Sequence, residues 1–313
     1  MVDQYHRSLP MANPIIPGSI RDRTGSTAIM RRATQEIKRR YAGLKVDVLA
    51  AFDRVPVYAA NDEYGQVFYG LTPTQLEALS SELQLAYERW IVAKDPANVF
   101  WYSGYVDDAA QLGAAQTVAN LTNLSASYAA ARTLEQVIYS APYQTRLAMA
   151  QIKSYEHWTG LAATQKAELS QIIGRAVIDG KNPKAVRAEL MDRMDIGKSR
   201  AMLYLQTDIT DTLRQARMAE DEYAEQTLGV KTGELWTSAL LPTTRAHHAA
   251  RSGKVYTREE VKQFYSVNGN RYACHCSIAS CLLDADGKPI LTDRLKASMA
   301  AEHLAWQKAQ LAA

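Results

Sequence analysis

Residues 198–239 read KSRAMLYLQTDITDTLRQARMAEDEYAEQTLGVKTGELWTSA, and this stretch decides the fold. Its first part is helical in pattern from about Lys198 to Gln226. Gly229 closes it, because glycine tolerates the left-handed backbone that ends a helix. Beyond Gly229 the pattern changes, and Glu234–Ala239 looks like a strand. Lys254–Thr257 and Tyr272–Ile278 read as two more short strands. Gly253, Asn268-Gly269 and Asp286-Gly287 supply the turns between them. A long helix therefore delivers the chain into a small α+β module over 229–292. A terminal helix follows over 293–313, around Leu295, Met299 and Leu304.

Upstream, helical signals dominate. A helix over 168–178 stops at Gly180, and Asn182-Pro183 opens the next, with Val186, Leu190 and Met194 as its apolar stripe. The stretch 107–170 is rich in Ala, Leu and Gln and reads as several helices broken near Pro142 and Gly160. Thr72 and Pro73, with Glu77 in the following turn, start a helix through Leu83, Tyr87 and Ile91. Residues 57–72 look like a loop or short hairpin. From 26 to 53, Ile29, Ala33, Ile37, Tyr41, Leu44, Val48 and Ala51 recur at spacings of three and four, the stripe of an amphipathic helix. Residues 1–25 carry Pro10, Pro14, Pro17, Gly18 and Gly25 and read as an extended arm that only a partner would order. The expected fold is mainly α, with an elongated helical region over 26–228 ahead of the small α+β module.

Composition narrows the function. The 313 residues are 47% hydrophobic and 22% charged, as in a folded chain. The net charge is only +3, so nucleic-acid contact needs a local patch. One exists: between residues 21 and 54 nine Lys/Arg face four Asp/Glu. Arg31, Arg32, Lys38, Arg39, Arg40 and Lys45 lie off the apolar stripe. They form either a solvated face or a surface for DNA phosphates or an acidic partner. No secretory signal and no apolar run of membrane-spanning length is present, so the chain is expected in the cytoplasm and off the membrane.

The three cysteines, Cys274, Cys276 and Cys281, share one short window, a poor disulfide framework that fits a reducing compartment. His247 and His248 lie within the same module. In an extended segment Cys274 and Cys276 point to one face and His275 to the other. Adjacent histidines diverge, so one of the pair faces the thiols. His248, Cys274, Cys276 and Cys281 make a four-ligand set with the thiolate and imidazole chemistry that zinc prefers. The competing reading is that the cysteines pack as small hydrophobes. Phosphate-binding loops, nucleophile elbows and metalloprotease helices are all missing. Arg245 and His248, three apart, leave one enzymatic alternative, a nucleic-acid-cleaving or group-transfer site.

At this point the sequence resembles the phage Mu F-like minor head proteins, also called phage head-morphogenesis proteins. The resemblance covers about 165–292 and, more loosely, the basic helix at 26–53. It lies in the long helix, then Trp236, then Arg245, His248 and Gly253, then Cys274 and Cys276. The chain departs from the family pattern twice. Leu240, Leu241 and Pro242 stand where an Asp is usual, and Tyr272-Ala273 stands in place of His-Pro. The resemblance implies a minor capsid component without turnover, located in the virion head. Its implied partners are the portal protein, the capsid shell and packaged double-stranded DNA, and its implied roles are head assembly and DNA delivery.

Overall fold

The computed structural model describes residues 12–59 and 67–312. It is mainly α with a small α+β part. The helices are α1 (Thr27–Asp53), α2 (Pro73–Trp90), α3 (Ser103–Leu124), α4 (Ala126–Ala131), α5 (Leu134–Ile138), α6 (Ala141–Asp179), α7 (Pro183–Leu228), α8 (Ala246–Ala249), α9 (Arg258–Ser266) and α10 (Asp293–Leu311). The strands are β1 (Val57–Ala59), β2 (Val67–Tyr69), β3 (Thr232–Thr237), β4 (Val255–Tyr256) and β5 (Ser277–Leu282). Two compact units result: Met30–Tyr105 with Met149–Leu205, and the described parts of Met1–Ile29, Val106–Ala148 and Gln206–Ala313. They are called the helical unit and the sheet unit below.

In the helical unit, the α1 stripe behaves as its spacing requires: Ala33, Ile37, Leu44 and Val48 are fully buried. Thr72 caps α2 through a reciprocal capping box with Gln75, and Pro73 sits in the first turn, where its missing N–H is harmless. Trp158 of α6 is buried among Trp101 and Tyr102, with ring centroids 5.3 and 5.2 Å away. The hairpin β1–β2 pairs Tyr58 with Phe68. Residues 60–66 of this expected loop, like residues 1–11 of the expected arm, lie outside the described residues.

Two expected breaks are absent. α6 runs unbroken through Gly160, because one exposed glycine weakens a helix by only about 1 kcal/mol and buried Trp158 and Leu161 flank it. α7 starts at Pro183 rather than Lys198 and passes through Gly197. A side chain there would meet Gln165 Oε1 at 2.8 Å, so the glycine serves close packing rather than a stop.

The sheet unit contains the small sheet, ordered β4-β3-β5 and antiparallel throughout. Its central strand is wholly buried. The third strand lies later than expected, at Ser277–Leu282, because Ala273 takes a left-handed conformation and the chain through Cys274–Cys276 is irregular. α9 was not foreseen. Residues 12–25 form no helix or strand, yet the chain itself orders them. Ile15 N donates to Asn120 Oδ1 at 2.7 Å, and Arg23 donates to Glu302 at 2.5 Å and to the carbonyl of Ser238. Asp22 accepts from Thr24 and Thr27 where α1 begins. These bonds hold Ile15, Asp22 and Arg23 of the described part of the arm without a partner.

Candidate metal centre

Strand alternation aims Trp236 of β3 at the same side as its partner Ile278 of β5. There it joins Met218, Val261, Tyr265, Cys274 and Cys276 in one buried cluster. Tyr265 stacks on Trp236 at 5.3 Å and Phe264 meets it edge-on at 5.0 Å. Gly253, in the left-handed region, donates its N–H to the Trp236 carbonyl at 2.9 Å and turns the chain from α8 into β4.

The adjacent histidines diverge as expected. His247 Nε2 meets Asn270 Oδ1 at 2.8 Å. His248 is buried and turns Nδ1 toward both thiols, 3.4 Å from Cys274 Sγ and 3.9 Å from Cys276 Sγ. Arg245 donates to the carbonyls of Gly269, Asn270 and Tyr272, and so fixes the loop that presents Cys274. Ser238 accepts from Trp236 Nε1 at 3.1 Å and donates to the His248 carbonyl at 2.7 Å, tying β3 to α8.

Electrostatics splits the thiols. Cys274 is held well below the usual thiol range, first by the hydrogen bond from Cys276 and then by His248 and Arg214. Cys276 is pushed well above it, because it is the donor in that bond and because it is buried. Tyr265 OH lies 3.4 Å from Cys274 Sγ.

His248, Cys274 and Cys276 place one ligand atom each within 4.8 Å of one another. A tetrahedral zinc with bonds of about 2.3 Å to sulfur and about 2.0 Å to nitrogen separates N from S by about 3.5 Å. The observed 3.4 and 3.9 Å fit such an ion. A cavity of about 30 Å³ touches all three residues and is also lined by Thr244, Arg245 and His275. It leaves room for a fourth ligand the size of water.

Cys281, expected as the fourth ligand, is not brought to this group. Within β5 it lies three residues beyond Ile278, which faces the Trp236 cluster, and this odd spacing turns Cys281 to the other face of the sheet. There it packs with Leu235, Leu291 and Met299, and its thiol approaches the Gly233 carbonyl at 3.4 Å. Burial pushes it up to about 12. Here the reading of a cysteine as a small hydrophobe holds.

The basic helix also sorts its residues. Arg31, Arg32, Lys38 and Arg39 are exposed. Arg40 is buried: it pairs with Glu36 at 2.8 Å, donates to the Trp90 carbonyl at 2.8 Å and lies 4.1 Å over the Trp101 ring. It was expected to face DNA, but it is a packing residue. Its place four residues past Glu36 and beside the apolar stripe explains this. Arg39 shares Glu36, and Lys45 reaches Asp195 at 3.4 Å.

Sequence reading missed several charged residues of the sheet unit. Arg214 sits 3.4 Å over the Tyr265 ring. Asp221 and Glu234 are buried carboxyls whose oxygens meet no donor, and burial pushes both up, Asp221 to about 7. No motif marks them, because the pair forms only when the end of α7 meets β3.

Comparison with known proteins gives one match. Residues 167–279 match the family described as Phage Mu protein F like protein. That span holds Trp236, Arg245, Gly253 and all three residues of the candidate metal centre. No curated protein and no solved structure matches the chain. Over residues 167–279 the chain is thus similar to the phage Mu F-like family.

Proposed function

We propose that this chain is a minor capsid protein of a tailed bacteriophage, working in head assembly and DNA delivery without catalytic turnover. The family match over 167–279, which includes the whole candidate centre, is the observation that carries this reading. Its partners are the portal protein and the capsid shell, and it resides in the virion head after assembly in the host cytoplasm. No helix among the described residues is long and apolar enough to cross a membrane.

Two local features give the reading chemical content. The exposed cations of α1, Arg31, Arg32 and Lys38 with Arg39 beside them, meet packaged double-stranded DNA through its phosphates, without sequence preference. His248, Cys274 and Cys276 hold zinc, which joins the one-turn helix α8 to the segment entering β5 and acts as a staple where a disulfide would be reduced. The loop-fixing role of Arg245 favours this structural reading over the enzymatic one, since three backbone carbonyls occupy its guanidinium.

Mass spectrometry of purified virions, with crosslinking, tests the assignment. The chain is expected in heads and crosslinked to the portal protein. Its absence from virions, with abundance in free cytosol, overturns the proposal. The DNA face is tested by replacing Arg31, Arg32 and Lys38 with Ala. The slope of log affinity against log salt is expected to fall by roughly 2 to 3. An unchanged slope shows that this face is only solvated.

A further inference from the structure

Between α7 and α9 lies a cavity of about 400 Å³, within the size range of pockets that hold small organic molecules. Met218, Val261 and Tyr265 give it an apolar floor. Its charged lining is Arg146, Asp211, Arg214, Glu222, Lys262 and Arg271, a net charge of +2.

Asp211 organises the guanidiniums. One carboxylate oxygen accepts from Arg214 Nη1 at 2.6 Å, and the other meets Arg271 Nη2 at 2.5 Å. Arg214 is also clamped against the Tyr265 ring at 3.4 Å, and only 6% of it is exposed. Both arginines are thus held in fixed orientations on one acid. Neither is saturated: Arg214 Nη2 and Arg271 Nε are buried and have no hydrogen-bond partner among the described residues. Buried donors without acceptors are rare because they are costly, and two of them belong to residues lining the same cavity. Such an arrangement suits an acceptor that comes from outside, with the side-chain ordering already done.

We propose that this cavity binds an organic phosphate, a phosphomonoester whose apolar or aromatic body rests on Met218 and Val261. A phosphomonoester dianion matches the net charge, and its several oxygens match forked guanidiniums better than a single carboxylate does. Exposed Lys262 and Arg146 draw the anion in from solvent. The inference does not rest on the capsid or zinc readings: no cavity-lining residue is a proposed metal ligand, although Arg214 and Tyr265 adjoin Cys274.

Calorimetric titration of the full chain tests it, with deoxyadenosine 5′-monophosphate, inorganic phosphate and deoxyadenosine as probes. The nucleotide is expected to bind about tenfold or more tighter than either of the others. Arg271→Gln is expected to weaken nucleotide binding about tenfold with the helical circular-dichroism signal retained, and Lys262→Ala by a few-fold. Both residues are more accessible than Arg214, whose removal endangers the fold. An oligonucleotide that binds only when its 5′ end is phosphorylated also supports the site and identifies a strand end as its source. Equal binding of deoxyadenosine and the nucleotide, equal binding of inorganic phosphate, absence of nucleotide binding up to about 10 mM, or parental affinity in Arg271→Gln each overturns the proposal.

Discussion

The two units treat buried polar groups in opposite ways. In the helical unit they are closed off: Tyr41 OH donates to Gln165, Trp101 Nε1 to the Ile91 carbonyl and Tyr102 OH to the Leu205 carbonyl. Among the described residues, twelve buried side-chain N and O atoms lack a hydrogen-bond partner, and only Trp158 Nε1 belongs to the helical unit. The other eleven fall in the sheet unit. They include His248 Nε2 at the thiols, Arg214 Nη2 and Arg271 Nε at the phosphate cavity, and the four oxygens of Asp221 and Glu234. Helical packing alone therefore does not create open valences in this chain. They gather where the family match lies, and open valence of this kind is what a binding site needs.

The comparison can be broken first at Arg40, where the largest loss of stability is expected. Arg40→Ala removes one of the two arginine partners of Glu36, the donor to the Trp90 carbonyl and the cation over the Trp101 ring inside the helical unit. Denaturant unfolding is expected to show a loss of about 3 kcal/mol or more. Lys38→Ala, on the exposed face of the same helix, is expected to stay within about 0.5 kcal/mol. Equal effects of the two substitutions contradict the division of α1 into a packing face and an exposed face.

The acid pair of the sheet unit gives a pH-dependent effect on the order of a few kcal/mol. As two carboxylates, Asp221 and Glu234 have no donor between them; a proton on one supplies the bond. The Ser280 hydroxyl, Arg258 of α9 and Arg217 of α7 oppose the burial that keeps this proton in place, while Glu220 favours retention. Between its ordinary value of 3.8 and about 7, Asp221 is protonated in the folded chain and ionised in the unfolded one. Stability from this group is full below about pH 4 and declines as pH rises toward 7. Asp221→Asn is expected to flatten that decline and to raise stability at pH 8. A variant whose stability falls with pH like the parent's sinks the assignment.

The smallest expected effect sharpens the contrast between thiols. Cys281→Ala removes one buried sulfur from an apolar cluster and is expected to cost about 1 kcal/mol, without changing metal content. Loss of metal in that variant returns Cys281 to the ligand set.

Much of this was legible in the sequence. The α1 stripe, the long helix closed by Gly229 and the divergence of His247 from His248 follow from periodicity and from how adjacent side chains point. The His248, Cys274 and Cys276 set was visible as spacing, and Trp236 came from the family resemblance. α9 was missed, although Thr257 followed three residues later by Glu260 carries the capping-box signal that starts it. The merging of α7 through Gly197 was not legible, because it depends on Gln165 from another helix. Nor were Arg40's burial, the placement of Cys281 and the Asp211 clamp, since each is set by a tertiary neighbour rather than by local pattern.

Elemental analysis of the full chain purified without chelator tests the central claim, that the open valences of the sheet unit are binding sites. The expected result is about one zinc per chain, lost in Cys274→Ser and kept in Cys281→Ala, with a melting temperature that drops on adding a chelator. Less than about a tenth of an equivalent of zinc in the parent, with no shift on chelation, contradicts the account and leaves His248, Cys274 and Cys276 as packing.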